Sequence, residues 1–336
     1  RKENGVEKIK KVLSIILRVG ISIAILVLLF RQVDRKSLFE IIKNANKPLL
    51  FFALFIFFFN YAFCFFRWYR LLKAVGIKLP LKRVVISFSG GIFFSLFLPS
   101  TIGGDLMRSI DLAAHTKKTK EVVATVLLDR LSGYVGLVVV VLISLLLGYR
   151  LIDDKSVLLA IGIITAILAG VLLVLFNNFF YTKINKLLSS PNAGKIRDLI
   201  TGLHQEIHIF RNKKRAMVIN LIISLLVQVT GPLTFYFIAL AIGIKINLLY
   251  FFVLIPVIGA ITLLPISIGG LGLRDASTIY FFAKAGVTKD LAFAMSLLNF
   301  SFILFYGALG GLIYVLTIHH RRLQSDQSSS LQEARR

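Results

Sequence analysis

The chain has 336 residues, of which 57% are hydrophobic and only 17% charged. Lys and Arg outnumber Asp and Glu by 40 to 16, a formal net charge of +24, at a mean hydropathy of +0.83. Soluble domains are about 45–50% apolar and about 25% charged, disorder goes with low hydrophobicity, and nucleic-acid binders gather cations on one polar face. None of these classes fits a chain whose basic residues lie between long apolar runs. The expected fold class is an all-α polytopic membrane protein with cations in its loops and ends. The single cysteine, Cys64, lies in an apolar run, excludes an intrachain disulfide and reads as a small packing residue.

A spanning helix needs about 20 mostly apolar residues. The first run, Val12–Phe30, is too long for a signal-peptide core and lacks a cleavage site; Arg18 within it is expected to snorkel. Asp34–Lys47 follows, with Leu38, Ile41, Ile42 and Ala45 on one face, the pattern of an interfacial helix. The second run is Pro48–Phe66. Val84–Leu98 is shorter, about 22 Å if helical, against a hydrocarbon core of about 30 Å. Val122–Tyr149 and Val157–Phe176 are long again. The polar segment 177–215 holds a turn at Ser189–Gly194, then Ile196, Leu199, Ile200, Leu203, Ile207 and Phe210 at helical spacing. It reads as a basic helix on an anionic leaflet. Ala216–Ile244 is long, Tyr250–Leu264 is short, and Leu291–Ile318 is long. The Ser/Gln-rich stretch from Gln324 is expected to be mobile.

Each short run ends in a proline and a Gly-Gly, which suits a re-entrant hairpin buried in protein. Lys and Arg bias toward the cytoplasm. With six spanning helices and two hairpins, 27 cations fall on the cytoplasmic side and 11 outside. Both termini are then cytoplasmic, in a multi-pass protein of the cytoplasmic membrane. Eight spans would put the eight cations of 177–215 outside, a poorer fit. One integral membrane domain over 1–318 and a tail over 319–336 are expected.

An internal repeat is visible. LPSTIGGDLMR, Leu98–Arg108, matches LPISIGGLGLR, Leu264–Arg274, at an offset of 166. TKEVVATVLLDR from Thr119 then faces TKDLAFAMSLLNF from Thr288. Three spans between the copies make the repeats, about 10–150 and 157–318, inverted. Inverted repeats with broken helices are a transporter design with the site at the repeat interface.

Pro99 is expected to end one helical segment, and Gly103 and Gly104 to let the chain turn close to a ligand. The next helix is read as starting near Asp105, where bare N–H groups favour an anion. Arg108 lies one turn on and completes a phosphate seat. Pro265, Gly269, Gly270, Arg274 and Asp275 repeat the arrangement. Alternatively, Asp105 only caps the helix and the arginines snorkel. Asp129 and Arg130 lie inside an apolar run, where ionisable residues need partners. Asp129 is expected to pair with Arg108 or Arg274, and Arg130 to reach a headgroup. Arg67 and Arg70 lie just past the second span, where attraction to lipid phosphate is the simplest role.

Other constellations are weak. His204 and His208 flank Glu206 outside any zinc pattern, and His319-His320 has no third ligand. Gly307 and Gly311 mark close helix packing. No metal site, cofactor motif, Walker sequence or catalytic triad is present, so no cofactor and no enzymatic activity are expected, and no nucleic-acid partner.

LPSTIGGDLMR, LLDRLSG (Leu127–Gly133), FRWYRLLKAVG (Phe66–Gly76) and LPISIGGLGLRDA together resemble the lysylphosphatidylglycerol synthase transmembrane-region family, also called flippase-like or UPF0104-type. The resemblance covers about residues 10–318. It implies a membrane region that flips an aminoacylated phospholipid, made by a separate C-terminal domain absent before Arg336. It therefore implies a stand-alone flippase-like protein whose cargo is a membrane phospholipid or a polyprenyl- or isoprenoid-linked lipid. A separate lipid-modifying enzyme and an oligomer remain open as partners. The motifs carry over Asp105, Arg108, Asp129, Arg130, Arg67 and Arg274 as candidate headgroup or gating residues. The leading expectation is a lipid translocase; the alternatives are a membrane-embedded transferase using Asp129 or Asp105 as base, and a non-catalytic lipid-binding accessory protein.

Overall fold

The computed structural model describes residues 20–31, 34–98, 101–116, 118–147, 155–176, 178–187, 201, 210, 213–262, 267 and 270–333. Every regular element among them is a helix. In chain order these are α1 (Gly20–Arg31), α2 (Arg35–Lys43), α3 (Lys47–Ala74), α4 (Leu81–Ser95), α5 (Thr101–Thr116), α6 (Thr119–Leu147), α7 (Lys155–Phe176) and α8 (Asn178–Leu187). They continue with α9 (Lys214–Ala241), α10 (Leu248–Thr262), α11 (Leu273–Lys284) and α12 (Lys289–Glu333). Among the described residues, α3, α6, α9 and the part of α12 up to Thr317 are long and apolar enough to cross a membrane. The protein is an all-α membrane protein. Of the expected spans, Val12–Phe30 is described only from Gly20, and the expected helix over 195–211 lies outside the described residues except for Thr201 and Phe210, as do Arg18, His204 and His208.

The duplication is plain in the helix lengths. Both α3 and α9 have 28 residues, and both α4 and α10 have 15. The turns after α3 and α9 are also copies. Ala74-Val75-Gly76-Ile77-Lys78 corresponds to Ala241-Ile242-Gly243-Ile244-Lys245. Gly76 and Gly243 have φ of 76° and 83°, where a side chain would be strained. Ile77 N–H donates back to the Leu72 carbonyl at 3.0 Å, and Ile244 N–H to that of Ala239 at 2.9 Å. Each is the six-residue closure that ends a helix at a left-handed glycine.

The two copies are inverted where they meet. Asn46, the N-cap of α3, donates its N–H to the carbonyl of Ala241 at the end of α9, at 2.8 Å. Midway, the Asn60 side-chain amide donates to the Val227 carbonyl and the Thr230 hydroxyl at 3.0 and 2.8 Å. Further along α3, Arg67 reaches Ser224. Ascending α3 therefore descends α9, so corresponding helices run antiparallel.

Repeat A closes around Trp68, Leu72, Val84, Leu112, Val122 and Val126, from α3 to α6. The larger core cluster joins Phe235, Ile238, Phe251, Leu254, Phe282 and Met295 of α9 to α12, and takes in Leu137 and Val141 of α6. The outer face of α3 is left apolar: Phe51, Phe52, Phe55, Phe58 and Phe66 are all exposed, as a lipid-facing helix requires. Small residues set the closest approach. A Cβ at Gly310 would lie 2.7 Å from the Ser89 carbonyl, and Gly307 and Gly311 face Leu96 and Phe93 of α4. The Gly307/Gly311 spacing thus packs helices, as expected. The helix of α12 continues to Glu333 through the Ser/Gln-rich end, where the composition predicts a mobile tail. Extending an existing helix avoids the nucleation cost a separate segment would meet.

Candidate functional site

α4 and α5 form an antiparallel pair built on small residues. Ser87 donates to the Arg108 carbonyl at 3.1 Å, and a Cβ at Gly91 would lie 3.0 Å from the Gly104 carbonyl. A Cβ at Gly104 would overlap the Gly91 carbonyl and the Ser95 hydroxyl. α5 begins at Thr101, one turn before the start expected near Asp105. Gly103 and Gly104 are therefore helical, and their smallness serves the approach to Leu98 and to α4 instead of a turn. Pro99 lies outside the described residues.

This packing aims α5 at α6 and α3, and five charged side chains join into one alternating chain. Arg67 Nε donates to Asp129 Oδ1 at 2.6 Å. Arg108 Nη2 donates to Asp129 Oδ2 at 3.0 Å and lies 2.9 Å from Asp105 Oδ1. Arg130 Nε donates to the other oxygen of Asp105. Asp129 is 3% exposed, Arg108 5% and Arg67 6%. Alternation is the arrangement that makes such burial tolerable, because each ion is costly to desolvate alone. Three arginines against two aspartates leave a formal surplus of one positive charge.

Neighbours hold the chain in place. Arg67 Nη1 donates to Ser224 of α9 at 3.1 Å. A Cβ at Gly133 would sit 3.0 Å from the same nitrogen. The Arg108 guanidinium lies 4.5 Å over the Trp68 ring, a favourable cation–π contact, and the Trp68 indole is fixed by donating to Thr125 at 3.1 Å. Arg108 Nε, buried, has no hydrogen-bond partner among the described residues.

All five charged residues line a cavity of about 330 Å³, with Tyr61, Cys64, Phe88, Gly91, Ile92, Ser95, Leu96 and Gly104. The remaining wall is Leu271, Phe300 and Ile303, from repeat B. The repeat explains this division. Leu271 stands where repeat A has Asp105, and aligning Leu127-Leu128 with Leu297-Leu298 sets Asn299 and Phe300 against Asp129 and Arg130. The site lies between the repeats: among the described residues all its charges come from repeat A, beside Phe88, Ile92 and Leu96, and repeat B adds only apolar side chains.

Repeat B keeps its own arginine elsewhere. Arg274 Nη2 donates to Asp275 Oδ1 at 2.7 Å, its Nε donates to Ser296 at 3.1 Å, and its guanidinium lies 5.0 Å from the Phe300 ring. Asp275 also accepts from Gly272 N–H at 3.0 Å, as the capping partner of α11. Gly270 and Gly272 have φ of 77° and 78°, so the turn expected at this motif forms here and not in the first copy. Gly269 and Pro265 lie outside the described residues.

Asp129 thus pairs with Arg108, one of the two expected partners, and with Arg67 in place of Arg274. Arg130 is engaged by Asp105. Sequence reasoning misses Ser224, although it falls on a helical stripe with Asn220 and Gln228. It also misses a second buried pair, Arg83 with Asp111, whose arginine lies 2.9 Å from His115 Nδ1. Among the described residues no group of His, Cys, Asp or Glu is placed to hold a metal ion.

A family model described as "Lysylphosphatidylglycerol synthase TM region" matches residues 15–311. A UPF0104 membrane protein of Pyrococcus horikoshii is 24% identical over 316 residues, covering 86% of this chain and 92% of the relative. Another from Methanothermobacter thermautotrophicus is 24% identical over 262 residues, covering 69% and 74%.

Proposed function

We propose that this chain, which belongs to the lysylphosphatidylglycerol synthase TM region family, is a lipid translocase that moves a phospholipid or lipid-linked headgroup across the cytoplasmic membrane. The observation that carries the reading is the two-sided cavity: five alternating charges from repeat A facing Leu271, Phe300 and Ile303 from repeat B. A phosphate-bearing headgroup needs cationic donors, and the start of its tails needs an apolar wall. One cavity between inverted repeats supplies both. Arg108 is the seat of the phosphate. Its Nε is buried without a partner among the described residues, and a guanidinium offers the forked donors an anion oxygen pair accepts. On binding, phosphate takes the place of Asp105 on Arg108, and Arg130 keeps Asp105 neutralised. Asp129 holds Arg67 and Arg108 together throughout. The pairs α4/α5 and α10/α11 act as re-entrant hairpins, and both termini are cytoplasmic.

Transferase chemistry is less well supported. Both candidate bases, Asp105 and Asp129, are each held by two arginines. The direct experiment is transbilayer movement of labelled lipids in liposomes carrying the purified protein. Wild type is expected to accelerate movement of a phosphate-bearing lipid, and Arg108→Ala to lose most of that acceleration. Equal rates for wild type, Arg108→Ala and protein-free liposomes, across phospholipids and polyprenyl phosphates, would sink the reading.

A further inference from the structure

The antiparallel pair α3/α9 opens a cavity at each of its two ends. The inverted repeat relates the helix ends at the two sites, and α2 adds a wall to one of them. Their electrostatics are opposite. At the end where α3 finishes and α9 begins, a cavity of about 570 Å³ is lined by Arg70, Lys73, Lys213, Lys214 and Arg215, with no acid among the described residues that line it. At the other end, a cavity of about 490 Å³ is lined by Ser37, Glu40, Asn44 and Asn46, with no cation among the described residues that line it. None of the five cations forms an ion pair among the described residues.

All five side chains are exposed, as loop cations at a membrane surface are; what sets them apart is their convergence. Here five converge on one concavity from two helices that are far apart in sequence. Lys73 is further restrained, its ammonium lying 4.5 Å over the Tyr69 ring. A cleft lined by one sign of charge focuses the field and concentrates counter-ions of the other sign. Membrane orientation alone requires only that the cations be on this side. It does not require that they surround a hollow.

We propose that this cavity is a binding site for a polyanionic group of the pyrophosphate class, separate from the central cavity. A single phosphate would leave most of the five charges unanswered, and the hollow is larger than one phosphate needs. A pyrophosphate gives two tetrahedral centres, with oxygens for Arg70 and Lys73 on one helix and Lys213, Lys214 and Arg215 on the other. The same chemistry can arrive as a lipid headgroup from the adjoining leaflet or as a free ion from solution. The site stands whether or not the central cavity transports lipid.

The test is binding to the full-length protein in phosphatidylcholine nanodiscs. One arm adds inorganic pyrophosphate; the other builds in a lipid with a terminal pyrophosphate. Two variants, Arg70→Gln with Lys73→Gln and Lys213→Gln with Lys214→Gln, are each expected to weaken binding about tenfold or more, from the loss of charge-assisted hydrogen bonds. Having one pair on each helix keeps the test decisive if either variant folds poorly. Glu40→Gln, at the opposite cavity, is expected to leave this binding unchanged. Binding in both arms marks a site open to solution, and binding in the lipid arm alone marks a headgroup site; both support the proposal. No saturable binding in either arm, or binding that survives both pairs of substitutions, overturns it. Binding that is lost in Arg108→Ala but kept in the two rim variants also overturns it, by placing the anion in the central cavity.

Discussion

The two repeats share a backbone plan and divide the labour. Repeat A spends its polar residues on the cavity: Arg67, Asp105, Arg108, Asp129 and Arg130 form one chain facing it. At the matching positions repeat B has Leu271, Asn299 and Phe300, and its surviving Arg274 is tied to Asp275 and Ser296 at the start of α11. A duplicated hairpin thus became a charged wall in one copy and an apolar wall in the other. An interface between identical copies would offer the same chemistry twice.

Substitutions can break that contrast, and the largest effect is expected at its hinge. Asp129→Ala strands Arg67 and Arg108 together in a buried site. Removing one partner of a buried pair costs about 3–5 kcal/mol, so thermal unfolding in detergent should show a strongly lowered transition. An unchanged transition would mean that the five-charge chain does not stabilise the fold. Next comes a comparison of function. Arg274→Ala should leave lipid movement in liposomes much closer to wild type than Arg108→Ala does. Equal losses would mean that both copies seat the headgroup, and the division of labour would fall.

Gly104→Ala tests how the charged wall is positioned. Its methyl group meets the Gly91 backbone, which cannot yield as a flexible side chain can. Overpacking of this kind costs about 1–3 kcal/mol. It should also shift α5 and lower transport by more than its effect on stability implies. Ser224→Ala should do least. It removes a hydrogen bond between repeat B and Arg67, worth about 1 kcal/mol, and transport should persist. A loss of transport as complete as that of Arg108→Ala would show that Ser224 belongs to the seat itself.

Much of the polar wall is legible in the sequence. Asp129 and Arg130 stand out because charges inside apolar runs are costly and need a reason, and Asp105 and Arg108 because they follow the repeated Gly-Gly. The repeated Pro and Gly-Gly motif announces the duplication. The copied turns at Gly76 and Gly243 are equally legible, since Ala-x-Gly-Ile-Lys occurs at both, yet they are easily passed over between two conspicuous apolar runs. The start of α5 is misplaced by local reading for a physical reason. Gly-Gly signals a turn when read locally, but the same residues permit a helix to press against another helix, and only a neighbour such as Gly91 decides between the two.

Composition and apolar run length by themselves determined that the chain is a helical membrane protein, and the repeated motif that it has two related halves. Those are properties of transfer into lipid and of backbone hydrogen bonding within single segments, which each stretch of sequence carries alone. Which charge meets which was decided by tertiary structure only. Arg67 and Asp129 are 62 positions apart and close to 2.6 Å, while Arg108 and Arg274, alike in sequence, lie in separate clusters. Pairing depends on how closely two helices approach and on the faces they turn to each other, and glycines and serines on the partner helix set both.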